Sequence, residues 1–510
     1  MKKFVTAMVV VFAVVSSPAI AASAHSFDEL AGFIQRTKDA TALPSGTAVA
    51  IVKDGTVIYE GYFGFADING EKPVKRNTSF YIASTTKSFL ALNALLKAED
   101  GLLDTRTSLQ AMFPEIRFDG FDATSVTVKD LLVHSSGVEN KPLVWATAFS
   151  GVHDAQSRRA LVAASYPDGN AAQGRSSTRT FKYTNVGYNI LSVWLDQKLA
   201  MPWQDQLDEA IFQPLGMRRT SAYISEAEAK GWPLAKPYSF ASAHPNAPLY
   251  LSKSDDTMQA AGGLVSTAPD LAKFLIAQLA DGKYGGKQIF PSSVITQSHV
   301  PQVVVDASYL DFKRTGYAWG WYAGEYKGKS MLHHFGGFAG FHAHLSFIPE
   351  ANVGLVVLNN EDVLSARLTN LIADYVYGVL LHEPGISSKM SDRFDELLVQ
   401  AREGQLATAK HRDVIQGRAW HLSLPLEAYV GTYSNDLLGE MIVELNNDKK
   451  PVIRWGRLAA VATAYDSTDH VRVEFAPNEG VPVSFVVKEG SVDAISFAHA
   501  TFKKVPRSGG

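Results

Sequence analysis

Hydrophobic and polar positions follow two rhythms along this chain. Residues 27–38 place Phe27, Leu30, Phe33 and Ile34 at helical spacing, which predicts an amphipathic helix. Residues 47–52 and 56–63 read as strands, and the turn Lys53-Asp54-Gly55-Thr56 between them predicts a hairpin. Residues 89–99 are good helix formers that stop at Asp100-Gly101. Residues 126–137 read as a Thr cap, a short helix and a Gly stop. Residues 141–180 are irregular and rich in Ser, Gly and Ala, which predicts helical loops. A second amphipathic run covers 190–199, and a Gly turn at 261–264 leads into a capped helix with Pro at its start. Residues 317–326, 331–334, 340–348 and 353–359 read as strands of one antiparallel sheet, with Pro349-Glu350-Ala351-Asn352 as a hairpin turn.

The character changes near residue 380. Residues 391–410 form a polar amphipathic pattern suited to a helical linker. Between 426 and 505 short alternating strands follow at 441–445, 452–455, 471–475, 481–487 and 494–498. That spacing predicts a small antiparallel barrel or sandwich.

The N-terminus adds a compartment. Lys2-Lys3 precedes an apolar stretch over 4–15 that is too short to span a membrane, and Ala19-Ile20-Ala21 has the small-x-small form of a cleavage site. Residues 1–24 are therefore expected to be a signal peptide, which implies a periplasmic or secreted protein with no stable membrane anchor. The chain has no cysteine, so thiol chemistry, disulfides and a lipidated N-terminal Cys are excluded. A net charge of −3 with no dense Lys/Arg block gives nucleic-acid binding no support.

Candidate chemistry begins at Ser84-Thr85-Thr86-Lys87, at the start of the 89–99 helix. A serine hydroxyl becomes nucleophilic when a base takes its proton, and a lysine amine three residues on can do so if its pKa is lowered. The same spacing also fits a Ser cap with a solvated Lys. Tyr183-x-Asn185 and His334-Phe335-Gly336-Gly337 follow in order, each with a bland reading of its own as core tyrosine, turn former or strand residues. His134 fits a histidine hydrogen-bonded in a turn better than a catalytic one. His333, His334, His342 and His344 contain no His-Glu-x-x-His or similar ligand set, so no metal or other cofactor is expected.

Taken in order, Ser84-x-x-Lys87, Tyr183-x-Asn185 and His334-Phe335-Gly336-Gly337 resemble the serine β-lactamase and penicillin-binding-protein-like hydrolases, in the branch near class C β-lactamases, esterases and D-aminopeptidases. The resemblance runs from about residue 47 to 360, with framing stretches at His134-Ser135-Ser136-Gly137 and Pro214-Leu215-Gly216-Met217. It implies an α/β (α+β) fold: an antiparallel sheet flanked by helices, plus an all-helical subdomain with the site between them. A small C-terminal antiparallel β-barrel follows, and Tyr429-Val430-Gly431-Thr432-Tyr433 makes it similar to the lipocalin-like barrels appended to some relatives. The implied organisation is a signal peptide at 1–24, a hydrolase domain at 25–380, a helical linker at 381–424 and the barrel at 425–507.

The resemblance also implies roles. Ser84 is the expected nucleophile, Lys87 the group sharing its proton, and Tyr183 the proton relay to the leaving group. Asn185 is expected to bond Lys87 or the substrate amide. Gly336 and Gly337 are expected to let the substrate approach the strand, with the amides of Ser84 and Gly337 forming an oxyanion hole. His334 stands where many penicillin-recognising members carry Lys, and a neutral histidine offers a substrate carboxylate little. The expected activity is hydrolysis of small or D-residue-containing peptides through a Ser84 acyl-enzyme. The open alternatives are a carboxylesterase, a penicillin sensor or a weak β-lactamase. The expected partner is a small-molecule or peptide substrate.

Overall fold

The computed structural model describes residues 18–169 and 180–506, with side chains from Phe27 on. The expected signal peptide lies outside the described residues except for its last seven positions, which open the first helix. The helices that frame the site are α1 (Pro18–Thr41), α2 (Thr86–Glu99), α3 (Val128–Leu132), α4 (Val186–Lys198), α5 (Ala268–Leu279), α6 (Leu364–Leu380) and α7 (Ile386–Gln416). The main sheet contains β1 (Thr47–Lys53), β2 (Thr56–Phe63), β3 (Val303–Tyr309), β4 (Phe312–Tyr317), β5 (Tyr322–Tyr326), β6 (Lys329–Phe338), β7 (Phe341–Ile348) and β8 (Val353–Asn359). These eight strands pair antiparallel in the order β3-β4-β5-β6-β7-β8-β1-β2.

Period-two side chains from the central strands feed two cores. β1 sends Ala48, Ala50 and Val52 to one face and Val49 and Ile51 to the other. On the first face lie α2 and α5, joined by the stacked rings of Phe89 and Phe274 at 3.9 Å, and beyond them the helical subdomain that includes α3 and α4. On the second face lie α1, α6 and α7. There Phe33 of α1 stacks on Phe394 of α7 with centroids 4.7 Å apart. α7 is longer than the 391–410 pattern suggests. Met390, Phe394, Leu397 and Ala401 are its buried residues against this core, and most of its remaining surface is polar.

Two differences from the expected strands have physical causes. The stretch 317–326 is not one strand. It turns between Tyr317 and Tyr322, where Gly320 has φ 77° and a Cβ would lie 2.6 Å from the Ser88 Cα. The turn thus packs directly on the start of α2, a tertiary contact that local pattern does not encode. β3 has no alternation to read: it is an edge strand, and its Val304 is 79% exposed.

The C-terminal strands, from Gly431–Asn435 to Ala500–Lys504, form a nine-stranded antiparallel sheet closed almost into a barrel. It docks beside the site. Trp455, Phe475 and Phe497 surround Trp145. Trp145 meets Phe149 at 4.6 Å, and Phe149 meets Phe338, the last residue of β6, at 5.8 Å. Tyr250 donates its hydroxyl to the Phe475 carbonyl, and Arg457 pairs with Asp256 at 3.1 Å. One apolar core therefore runs from the site-side face of the sheet into the barrel. Among the described residues, no helix is long and apolar enough to cross a membrane.

Candidate active site

Ser84 sits in a single 3-10 turn, Ala83–Thr85, immediately before α2. The residue before it, Ala83, holds a left-handed φ of 45° and is fully buried, a conformation that a non-glycine residue adopts at some cost. Gly336 of β6 presses against this turn. A Cβ on Gly336 would lie 2.1 Å from the Ile82 carbonyl oxygen and 3.0 Å from the Ser84 nitrogen. Gly337 is exposed, with nothing within 4 Å of its Cβ direction. The glycine pair was expected to admit the substrate. Instead, Gly336 is needed by the Ser84 turn itself, and only Gly337 borders open space.

Lys87 lies one turn into α2 and is fully buried. Its Nζ has three neighbours: Asn185 Oδ1 at 2.8 Å, the Ala261 carbonyl at 2.7 Å and Ser84 Oγ at 3.1 Å. Burial holds its pKa well below the ordinary 10.5, because desolvation penalises the charged form. A neutral amine has two N–H bonds and one lone pair. The two carbonyl-type oxygens can only accept, so they take both N–H bonds and leave the lone pair for the Ser84 hydroxyl.

Tyr183 lies near both groups: its ring centre is 4.9 Å from the Lys87 Nζ, and the Ser84 hydroxyl acts to lower its pKa. Tyr183 is 37% exposed as a residue, but desolvation of its hydroxyl outweighs the Ser84 contact and pushes the pKa above its ordinary value. Tyr183 is thus a protonated phenol at neutral pH. The pair can divide the work of acyl transfer, with Lys87 as proton acceptor from Ser84 and Tyr183 as proton donor to a departing atom.

His134 brackets Tyr183. Its carbonyl accepts the Lys182 N–H at 2.8 Å, and its Nδ1 accepts the Thr184 N–H at 3.3 Å. Its ring lies 4.5 Å from the Tyr183 ring. Thr127 and Asp130 form a capping box on α3, the helix that leads into it, and His134 follows with φ 60°.

His334 faces the site side of β6 but is 1% exposed. Its Nδ1 donates to the Phe335 carbonyl at 2.8 Å, which leaves Nε2 to accept the Tyr317 hydroxyl at 3.3 Å. Burial, then the nearby Lys87 amine, keep its pKa well below 6.5. Among the described residues no hydrogen bond joins it to Ser84, Lys87 or Tyr183. His334, expected to be catalytic, thus meets Tyr317 by a hydrogen bond and Tyr183 by ring packing at 6.1 Å.

β5 pairs with β6 only as far as Tyr322 opposite His333. From His334 to Phe338 that edge of β6 has no strand partner among the described residues, so an extended chain can lie along it. At its Tyr322 end stands Arg314 of β4, which sequence reading missed. The Arg314 guanidinium carbon lies 3.6 Å over the Tyr322 ring, and its Nε donates to His333 Nε2 at 3.1 Å. His342 and His344 lie on the opposite sheet face, packed against Phe335. Among the described residues no group of three or more His, Asp or Glu is placed to hold a metal.

Comparison with known proteins gives the family and the fold. An unguisins hydrolase, ungD', of Aspergillus campestris is 24% identical over 495 residues, 94% of this chain and 87% of its own. The fold is shared with the octameric penicillin-binding protein homologue from Pyrococcus abyssi, at a TM-score of 0.59 and 21% identity over 94% of this chain and all of the other. It is also shared with the D-amino acid amidase of Ochrobactrum anthropi, at a TM-score of 0.50 and 21% identity over 74% of this chain and 99% of the other. The beta-lactamase family model matches residues 33–375. That span takes in Ser84, Lys87, Tyr183, Asn185 and all of β6, and this chain belongs to the beta-lactamase family.

Proposed function

We propose that this protein is a serine hydrolase that cleaves peptide amides, D-residue-containing peptides among them, through a Ser84 acyl-enzyme. The observation that carries the reading is the Lys87 amine, whose two acceptors leave its lone pair on the Ser84 hydroxyl. Lys87 takes the proton as Ser84 attacks the carbonyl, and Tyr183 gives one to the leaving nitrogen. The developing oxyanion lies against the amides of Ser84 and Gly337. Water then attacks the ester, giving a proton to the Tyr183 phenolate, and Lys87 returns its proton to Ser84 as the ester bond breaks. An unguisins hydrolase and a D-amino acid amidase among the relatives support amide hydrolysis. The leader-like segment at 1–24 supports work outside the cytoplasm, where such peptides are met.

The test is a serine-directed phosphonate followed by peptide mapping. One adduct on the Ser84 peptide, absent in Ser84→Ala, is the expected result. A label on any other serine overturns the mechanism. Repeated turnover of a simple amide or ester separates a hydrolase from a sensor, which would give one stoichiometric burst and stop.

A further inference from the structure

Lys87 keeps its lone pair on Ser84 only while both of its acceptors stay in place, and the two are held differently. Asn185 is carried at the head of α4. The Ala261 carbonyl belongs to a bend outside helix and strand. There the Gly262 N–H donates to the Gln259 carbonyl at 2.8 Å, so residues 259–262 form a tight turn with Ala260 and Ala261 at its corner. On its C-terminal side the turn is fixed to the segment that carries Ser84. The Ile82 N–H donates to the Leu264 carbonyl at 3.0 Å, and the Thr86 hydroxyl accepts the Leu264 N–H at 3.2 Å.

On the N-terminal side the hold comes from one side chain. Gln259 is 4% exposed. Its Oε1 accepts the Nε1–H of the fully buried Trp203 at 3.0 Å, and its Nε2 donates to the Asp255 carbonyl at 2.7 Å. The backbone beside it is strained and loosely tied. Met258 holds a left-handed φ of 47°, and the N–H groups of Met258 and Gln259 reach the Ala148 and Thr147 carbonyls at 3.3 Å. Gly263 lets the turn fold back on this stretch, since a Cβ there would lie 2.3 Å from the Met258 carbonyl oxygen and 2.8 Å from the Trp203 ring. We infer that Gln259 is a positioning residue for the base: it sets the turn that aims the Ala261 carbonyl at Lys87, and so fixes where the lone pair of the amine points. This rests on the Ser84 acyl-enzyme reading. With the carbonyl displaced, a freed N–H of the amine can turn toward Ser84 Oγ, and an amine that donates to a hydroxyl oxygen cannot take its proton. Proton removal then slows while substrate binding does not.

The experiment follows phosphonylation of Ser84 in the full chain at increasing phosphonate and counts only the sites labelled at the end point, so unfolded molecules drop out. The limiting rate per labelled site reports the chemical step, and the half-saturating concentration reports binding. Gln259→Leu is expected to lower the limiting rate by at least about tenfold with the half-saturating concentration unchanged. Gln259→Glu keeps an acceptor for Trp203 and is expected to recover part of the loss. Trp203→Phe removes one N–H and is expected to slow labelling less. Adding it to Gln259→Leu is expected to slow labelling no further, because both changes act through one contact. A Gln259→Leu enzyme with a lower Tm but the native limiting rate has lost only a structural bond, and overturns the proposal. So does a loss confined to the half-saturating concentration. If Gln259→Leu does not fold, a native limiting rate in Trp203→Phe overturns it instead. Failure of the phosphonate to label Ser84 in the wild type is a separate result that strikes the acyl-enzyme reading.

Discussion

Gly336 and Ile82 touch so closely that a methyl group on Gly336 would lie 2.1 Å from the Ile82 carbonyl oxygen. This contact sets the Ser84 turn against β6, and it separates two neighbouring glycines. Gly336→Ala must push the turn away and is expected to cost at least about a hundredfold in kcat/KM, since sub-ångström placement governs such reactions. Gly337→Ala has room for its methyl and is expected to stay within about tenfold of wild type. Equal losses in the two variants, read from kcat/KM and thermal melts, would contradict this assignment.

His134 supplies the second positioning contact. Its carbonyl and its ring nitrogen hold the amides on both sides of Tyr183. His134→Ala is expected to lower kcat by about tenfold to a hundredfold with KM little changed, because the proton donor is displaced while the substrate groove is not. Asn at 134 tolerates positive φ and presents an acceptor oxygen, so His134→Asn is expected to recover part of the loss. A loss confined to KM, or no rescue by Asn, would count against the bracket.

These relationships show which parts of the site the sequence makes legible. Ser84, Lys87, Tyr183 and Asn185 belong to short patterns whose geometry follows from local spacing, such as one helical turn between Ser84 and Lys87. The turn at His134 is legible from its Thr cap and Gly stop. That its partners flank Tyr183, some fifty positions later, is a product of packing. Arg314 belongs to no motif, because its placement comes from a register break and from rings on neighbouring strands. In the fold, β1, β7 and β8 read from apolar runs that are buried on both faces and β2 from the turn that joins it to β1, whereas β3 is an exposed edge without pattern. The polar length of α7 suits a linker, and its four buried apolar residues are too sparse to announce a packed helix.

Those four residues change what truncation should do. Ending the chain near residue 385, just past the domain boundary expected at 380, removes Phe394 from its stack on Phe33 along with Met390 and Leu397. Burial of each such side chain is worth about 1.5–3 kcal/mol, so this product is expected to be insoluble or unfolded. A chain ending at Gly417 keeps α7 and loses only the barrel, exposing Trp145 and Phe149. It is expected to remain folded with a lower Tm and to retain Ser84 labelling. A 385-residue product that melts like the parent would contradict the role given to α7.

Buried histidines make stability depend on acid. Burial pulls His299 and His342 from 6.5 to about 4 and holds His134, His333, His334 and His344 well below their ordinary value. Below about pH 6.5 the unfolded chain takes up protons that the folded chain refuses. Their stabilising contribution is thus full above that pH and is lost as pH falls through the folded values. Each such group adds a slope of up to about 1.4 kcal/mol per pH unit in this window. Denaturant melts between pH 7 and 4 are expected to show the decline, and His342→Gln to show a shallower one. An unchanged slope in that variant would contradict the assignment for His342.

The most direct test of the account is the rate of Ser84 phosphonylation as a function of pH. If Lys87 is the base, the rate rises with a single ionisation well below 10.5 and is level above it, since the neutral amine is then fully formed. Lys87→Arg keeps a positive charge but has no lone pair to offer near neutral pH, and is expected to label at least about a hundredfold more slowly. A wild-type rate that climbs only toward the ordinary lysine value, or a Lys87→Arg variant that labels at the native rate, would contradict the claim that buried, neutral Lys87 activates Ser84.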